Sequence, residues 1–191
     1  YGTATIAQEV RMAHFLLGRS PRLAVDIGGN VGDYTAELLR SNLELEVHIF
    51  EPSTKNIKGM KERFSGESRI KLEQAALSDS CGRMTLFADR DGSGLGSLTD
   101  RKLYHLDIRF EPMEQVEVRR FEDHYNAFLA GRTIDIVKID VEGHELMVLS
   151  GFGESIRKVR VIQFELGGAN IDTKVFFRDF WRFFEKVGFT L

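Results

Sequence analysis

Four places in this sequence join acids, glycines or a histidine in patterns able to hold a nucleoside and move a proton. The first is Asp26 followed by Gly28-Gly29-Asn30-Val31-Gly32. It lies between an apolar run and a helix-compatible segment, so it reads as strand, tight turn and helix start. Unpaired N–H groups and the aligned peptide dipoles at such a helix start favour anionic or polar ligand groups. Glycine allows the left-handed turn and a close ligand approach. The second is Glu51-Pro52, ending a strand roughly 20 residues further on, near the offset at which an acid accepts hydrogen bonds from ribose hydroxyls. The third is Asp140, Glu142 and His144, on alternate positions of a turn after another strand. Asp140 or His144 has the chemistry of a general base, with Glu142 orienting a neighbour. Capping a helix N-terminus is the competing role for both acids. Lys138, inside that strand, is placed to pair with a carboxylate. The fourth is Glu165, at the end of the last clear strand.

The elements that position these residues follow from hydrophobic period. Residues 3–17 carry apolar side chains at helical spacing, and Gly18 and Pro21 stop that helix. Strands are expected at 23–28, 45–50, 70–77, 84–88, 116–119, 134–139 and 159–164, and helices at 34–40, 56–64, 121–129, 145–149 and 175–187. Gly188 to Leu191 reads as the entry to one more strand. Strand–helix alternation predicts an α/β fold: a Rossmann-like, doubly wound, mostly parallel sheet with helices on both faces. In such a sheet the strand ends share one edge, so the four sites converge on one crevice. The Phe-rich segment 176–184 is expected to pack on the sheet or to close a homodimer. The glycine-rich stretch 89–100 reads as a mobile loop.

The chain has 191 residues, fitting one domain with an N-terminal helix at 1–20 and a core at 23–191. It opens at Tyr1 rather than Met, as expected of part of something longer. A net charge of −3 gives no basic field to recruit nucleic acid or an anionic membrane. No apolar run approaches the ~20 residues of a membrane span. A lone cysteine, Cys81, fits a reducing compartment, so a cytoplasmic location is expected.

The glycine spacing is GGxxG, not the GxGxxG of a dinucleotide fingerprint. A cofactor with a ribose but no pyrophosphate tolerates that change. S-adenosylmethionine is one, and Asp26 is placed to meet its ammonium group. An Asp-Glu-His set also has donors for a divalent cation, but nothing fixes a ligand count, and no metal ligand is assigned.

These residues also carry a resemblance. VDIGGNVGDY at 25–34, IFEP at 49–52, QAALSD at 74–79 and above all VKIDVEGHE at 137–145 are similar to the FkbM family of class I S-adenosylmethionine-dependent methyltransferases. The resemblance runs from Leu23 to Leu191. It implies O-methylation of a hydroxyl on a sugar or natural-product acceptor. It further implies that Asp26, Gly28, Gly29, Asn30 and Gly32 hold the methionine moiety and Glu51, beside Pro52, the ribose. Ala76 and Leu77 would border the adenine, and Asp140 would lie near the transferring methyl. Class I enzymes end in an antiparallel strand pair, so the C-terminal edge of the sheet is expected to be truncated here. Three other functions compete. A nicotinamide-dependent oxidoreductase shares the strand, turn and acid. A non-catalytic binding module would use the Phe-rich helix. Nucleic-acid methylation fits poorly with the charge balance and the lack of an Asn-Pro-Pro-Tyr-type motif.

Overall fold

A computed structural model describes residues 5–104 and 107–191. The first helix, α1 (Ile6–Leu17), starts at Thr5, whose hydroxyl accepts from Gln8 N while Gln8 Oε1 accepts from Thr5 N at 2.7 Å. This reciprocal cap fixes the first helical residue at Ile6, where hydrophobic period alone suggested a start at residue 3; Thr3 and Ala4 lie outside the described residues.

Five parallel strands form the main sheet: β1 (Leu23–Ile27), β2 (Glu46–Phe50), β3 (Ile70–Glu73), β7 (Ile134–Ile139) and β8 (Val159–Phe164). Their order is β3-β2-β1-β7-β8. β1 and β7 are buried along their whole lengths, which explains their near-continuous apolar runs. On one face lie α1, α2 (Asp33–Ser41) and α3 (Thr54–Arg63), packing Val10, Leu38, Ile57 and Met60 against Ala24, Val47 and Ile49. On the other lie α4 (Phe121–His124), α5 (Glu145–Ser150) and α7 (Phe177–Val187), with a short α6 (Ala169–Asp172) before α7. Phe180 and Phe184 of α7 are fully buried there, each contributing roughly 1.5–3 kcal/mol. Phe176, Phe177 and Trp181 stay exposed, so the aromatic segment splits between core and surface. The doubly wound architecture is as the alternation predicted. The strand order reverses between β1 and β7, the place where such sheets open a ligand crevice.

Several boundaries differ. The strand expected at 70–77 is two: after Glu73 the chain leaves the main sheet, and β4 (Ala76–Leu77) pairs with β6 (Glu111–Arg119). Periodicity cannot separate them, because the apolar run continues through the break. β6 is longer than 116–119, its outer half being too polar to register. It pairs antiparallel with β5 (Gly82–Ala88), and Pro112 is accommodated where that register shifts. The 121–129 helix changes after His124 into a π-helical turn over Tyr125–Leu129. Residues 188–191 form no strand: Gly188, at φ +83°, ends α7, and Phe189 N donates back to Phe184 O at 2.9 Å. The 89–100 segment is irregular but pinned, with Phe87 and Ser97 exchanging both backbone hydrogen bonds. Among the described residues no helix is long and apolar enough to cross a membrane.

Candidate functional site

The turn after β1 is built by contact rather than by flexibility. Gly28 has φ +83°, and a Cβ there would stand 1.8 Å from the Asp140 carbonyl oxygen. At Gly29 it would meet Ile49 at 2.4 Å, and at Gly32, also left-handed, the Phe64 ring at 2.5 Å. The glycines thus let the turn press against β7 and α3. The amides differ from expectation. Gly28 N and Gly29 N donate to Phe50 O, Gly32 N to Gly29 O, and Asn30 N to Glu51 Oε2. Four N–H groups that the sequence left bare for an anion are already engaged.

Asp26 is buried, and its Oδ2 accepts from Thr35 Oγ1 at 2.6 Å, tying the β1 carboxylate to the first turn of α2. Burial pushes its pKa up to about 6 against the opposing pull of the Thr35 hydrogen bond and Lys138. Glu51 is also buried. It accepts from Asn30 N and Ser53 N, each at 2.9 Å, and from Asn56 Nδ2 at 3.4 Å. Burial outweighs these bonds and raises it to about 7.

The three groups after β7 point to different places. Asp140 Oδ2 accepts from Lys138 Nζ at 2.9 Å, the pairing expected of that lysine. Glu142, at φ +52°, turns away: Arg101 Nη1 donates to its Oε2 at 2.6 Å, and Arg101 Nε reaches Asp172 at 3.3 Å. His144 Nε2 lies 2.9 Å from Ser78 Oγ, and burial lowers its pKa. The structure therefore brings Asp140 and His144 to the wall of one cavity and leaves Glu142 outside it, bonded to Arg101. Glu142 does not cap α5 either. That helix has no side-chain cap; its first residue, the buried Glu145, instead braces the preceding turn, its Oε1 accepting from Gly143 N at 2.9 Å and its Oε2 from Asn170 Nδ2 at 2.9 Å. Among the described residues no group of three or more His, Cys, Asp or Glu side chains is arranged to hold a metal.

Two cavities meet at the crevice. The larger has an empty volume of about 720 Å³ and a mostly apolar wall that includes Phe50, Pro52, Ala76, Leu77 and Leu86, with Glu51 and His144 as its ionisable groups beside the shared Asp140 and the outer Asp91 and Glu114. The second is polar, with Asp26, Lys138, Tyr34 and Glu9. Gly28, Asn30 and Asp140 line both. All the expected cofactor residues lie on these walls except Gly32, which stands behind the turn against Phe64. The glycine-rich loop supplies Asp91, Gly92, Ser93, Gly94 and Gly96 to the larger cavity. Its placement, and the Ser78–His144 contact, are long-range consequences of the second sheet that no local motif announces. Arg101 and Glu145 were also missed; each is one charged residue in a polar stretch.

Comparison with known proteins gives the family. The methyltransferase FkbM domain model matches residues 26–191, so the chain belongs to the FkbM methyltransferase family. A 2-O-methyltransferase, NoeI, of Sinorhizobium fredii is 30% identical over 162 residues, covering 78% of this chain and 65% of that protein. The methyltransferase sdnD of Sordaria araneosa is 28% identical, covering 75% of this chain and 67% of its own length. The chain thus spans about two thirds of these relatives. Among solved structures, the plantazolicin methyltransferase BamL, in complex with a desmethyl-plantazolicin analogue and S-adenosylhomocysteine (SAH), shares the fold with a TM-score of 0.54. That match has 10% identity and covers 96% of this chain and 62% of BamL.

Proposed function

We propose that this FkbM-family chain binds S-adenosylmethionine across the two joined cavities and directs its methyl group to a hydroxyl of a sugar or natural-product acceptor. One observation carries the reading: an apolar cavity with a buried acid and a polar cavity with a second buried acid share the wall made by Gly28, Asn30 and Asp140. That division fits a nucleoside joined to an amino acid. Ala76, Leu77 and Leu86 would flank the base, and Glu51 retains a lone pair on Oε2 for a ribose hydroxyl. In the polar cavity Asp26 would face the ammonium group and Lys138 the carboxylate. When bound, the sulfonium supplies an activated methyl group that leaves behind a neutral thioether. The chain's contribution is positioning, exclusion of water by the 91–96 loop, and acceptance of the acceptor's proton at the Asp140 end of the wall. A hydroxyl acceptor is supported by the relative named as a 2-O-methyltransferase.

The internally bonded amides of the glycine turn weigh against a dinucleotide, whose pyrophosphate needs such donors free. A thermal-shift comparison tests the reading. A ligand at 100 times its dissociation constant stabilises the fold by about 2.7 kcal/mol, roughly 5–10 °C in Tm for a chain of this size. SAH should give that shift and NAD should not; a shift with NAD alone rejects the proposal. Labelled methyl transfer across a panel of sugars and polyols then separates an enzyme from a binding module.

A further inference from the structure

β7 and β8 run parallel with Ile139 opposite Phe164, and Glu165 N donates to Ile139 O at 3.1 Å. The next residue on each strand therefore emerges at the same level, which sets Asp140 and Glu165 side by side at the strand ends. Their surroundings differ. Asp140 lines both cavities and already accepts the Lys138 ammonium. Glu165 lines neither cavity and is exposed to solvent beside Asp140. Burial of part of its carboxyl, the facing Asp140 and, after them, Glu142 hold Glu165 up to about 7, with Lys138 pulling the other way.

We propose that Glu165 is the catalytic proton acceptor of this site, taking the proton of the acceptor hydroxyl as the hydroxyl oxygen is methylated. The inference rests on the methyl-transfer reading above. In the step, a lone pair of the acceptor oxygen forms the O–CH₃ bond while the S–CH₃ bonding pair returns to sulfur. The O–H bonding pair stays on oxygen, and the proton passes to a Glu165 carboxylate oxygen. The alternatives are engaged elsewhere. Asp140 accepts from the Lys138 ammonium, Glu142 is bonded to Arg101, and His144 is bonded to Ser78. A base that titrates near ambient pH balances availability against proton affinity.

The test uses the full chain with its glutamate carboxyls labelled with carbon-13 and SAH as the probe. The Glu165 signal is identified by its loss in Glu165→Gln. It should titrate near neutrality, and Asp140→Asn should move its midpoint down by about one pH unit or more. SAH affinity of Glu165→Gln, measured by calorimetry, should stay within about threefold of wild type, since the side chain is outside both cavities (a threefold change is about 0.6 kcal/mol). With whichever methyl hexosides or pentosides accept a methyl group, kcat should fall about 100-fold or more in Glu165→Gln, with partial recovery in Glu165→Asp. A midpoint at ordinary carboxylate pH that ignores Asp140→Asn, or an unchanged kcat, overturns the inference alone. Wild-type protein that fails to bind SAH overturns the methyl-transfer reading, and this inference with it.

Discussion

Replacing Gly28 with alanine should damage the protein out of proportion to one added methyl group. The new Cβ would lie 1.8 Å from the Asp140 carbonyl oxygen and 2.9 Å from its carbon, both backbone atoms with no rotamer by which to escape. Relief demands that the β1 turn and the end of β7 part by more than an ångström, yet Gly28 N and Asp140 N are each bonded into the sheet, to Phe50 O and Ile27 O. Forced overpacking costs typically 1–3 kcal/mol. Holding alanine at φ +83° adds about 1–2. Loss of glycine's freedom in the unfolded chain returns about 0.4–1. The net is roughly 2–4 kcal/mol, or about 4–16 °C in Tm at 2–4 °C per kcal/mol. Gly82→Ala is the control, because that site has open space around it and an ordinary φ. Thermal melts of the two variants decide the matter, and calorimetry with SAH should show a larger affinity loss for Gly28→Ala. If Gly28→Ala melts within about 1 °C of Gly82→Ala, the turn and strand are not in the contact described and the shared wall of the two cavities falls with it.

Further outcomes follow from the same geometry. Glu51→Gln should weaken SAH binding about tenfold or more, since a bond to a charged group contributes about 1.5–3 kcal/mol; an unchanged titration calorimetry isotherm would remove the ribose assignment. Affinity for SAH should fall as pH drops from 8 towards 5.5. Asp26 and Glu51, raised to about 6 and about 7, bind as anions above those values and lose their charge below them. A pH-independent affinity would rule out both contacts. Arg101→Met should cost roughly 2–4 kcal/mol, because it strands the Glu142 and Asp172 carboxylates it now joins. The double variant Arg101→Met with Glu142→Gln should recover part of that loss in chemical denaturation. His144→Ala should leave the pH dependence of kcat unchanged; a displaced profile would return His144 to the proton path.

The main sheet was legible because buried parallel strands and amphipathic helices write themselves into local hydrophobic order. That Asp26, Glu51 and Asp140 would lie along one edge was readable as well, since each stands at or next to the C-terminal end of a strand and a parallel sheet collects its strand ends. What escaped depends on pairing between distant segments. Ala76-Leu77 looks like a continuation of Ile70–Glu73 until Val118 and Arg119 are known to lie beside it. The glycines read correctly as a turn but wrongly as a source of free amides, because Phe50 O and Glu51, which take those hydrogens, come from the next strand. Glu142 and His144 share a turn in sequence, yet left-handed backbone at Glu142 and Gly143 sends them apart.

The larger cavity lies on a seam. Ile27, Phe50 and Asp140 come from the parallel sheet and its strand ends, whereas Leu77, Leu86, Ala88, Met113 and the 91–96 loop belong to the three-stranded sheet or hang from it. The two walls answer to different constraints, so substitutions along the β5–β6 hairpin can reshape what the chamber admits while the scaffold bearing the carboxylates keeps its register. Variation that diversifies chemistry, natural or engineered, has a separate module on which to act.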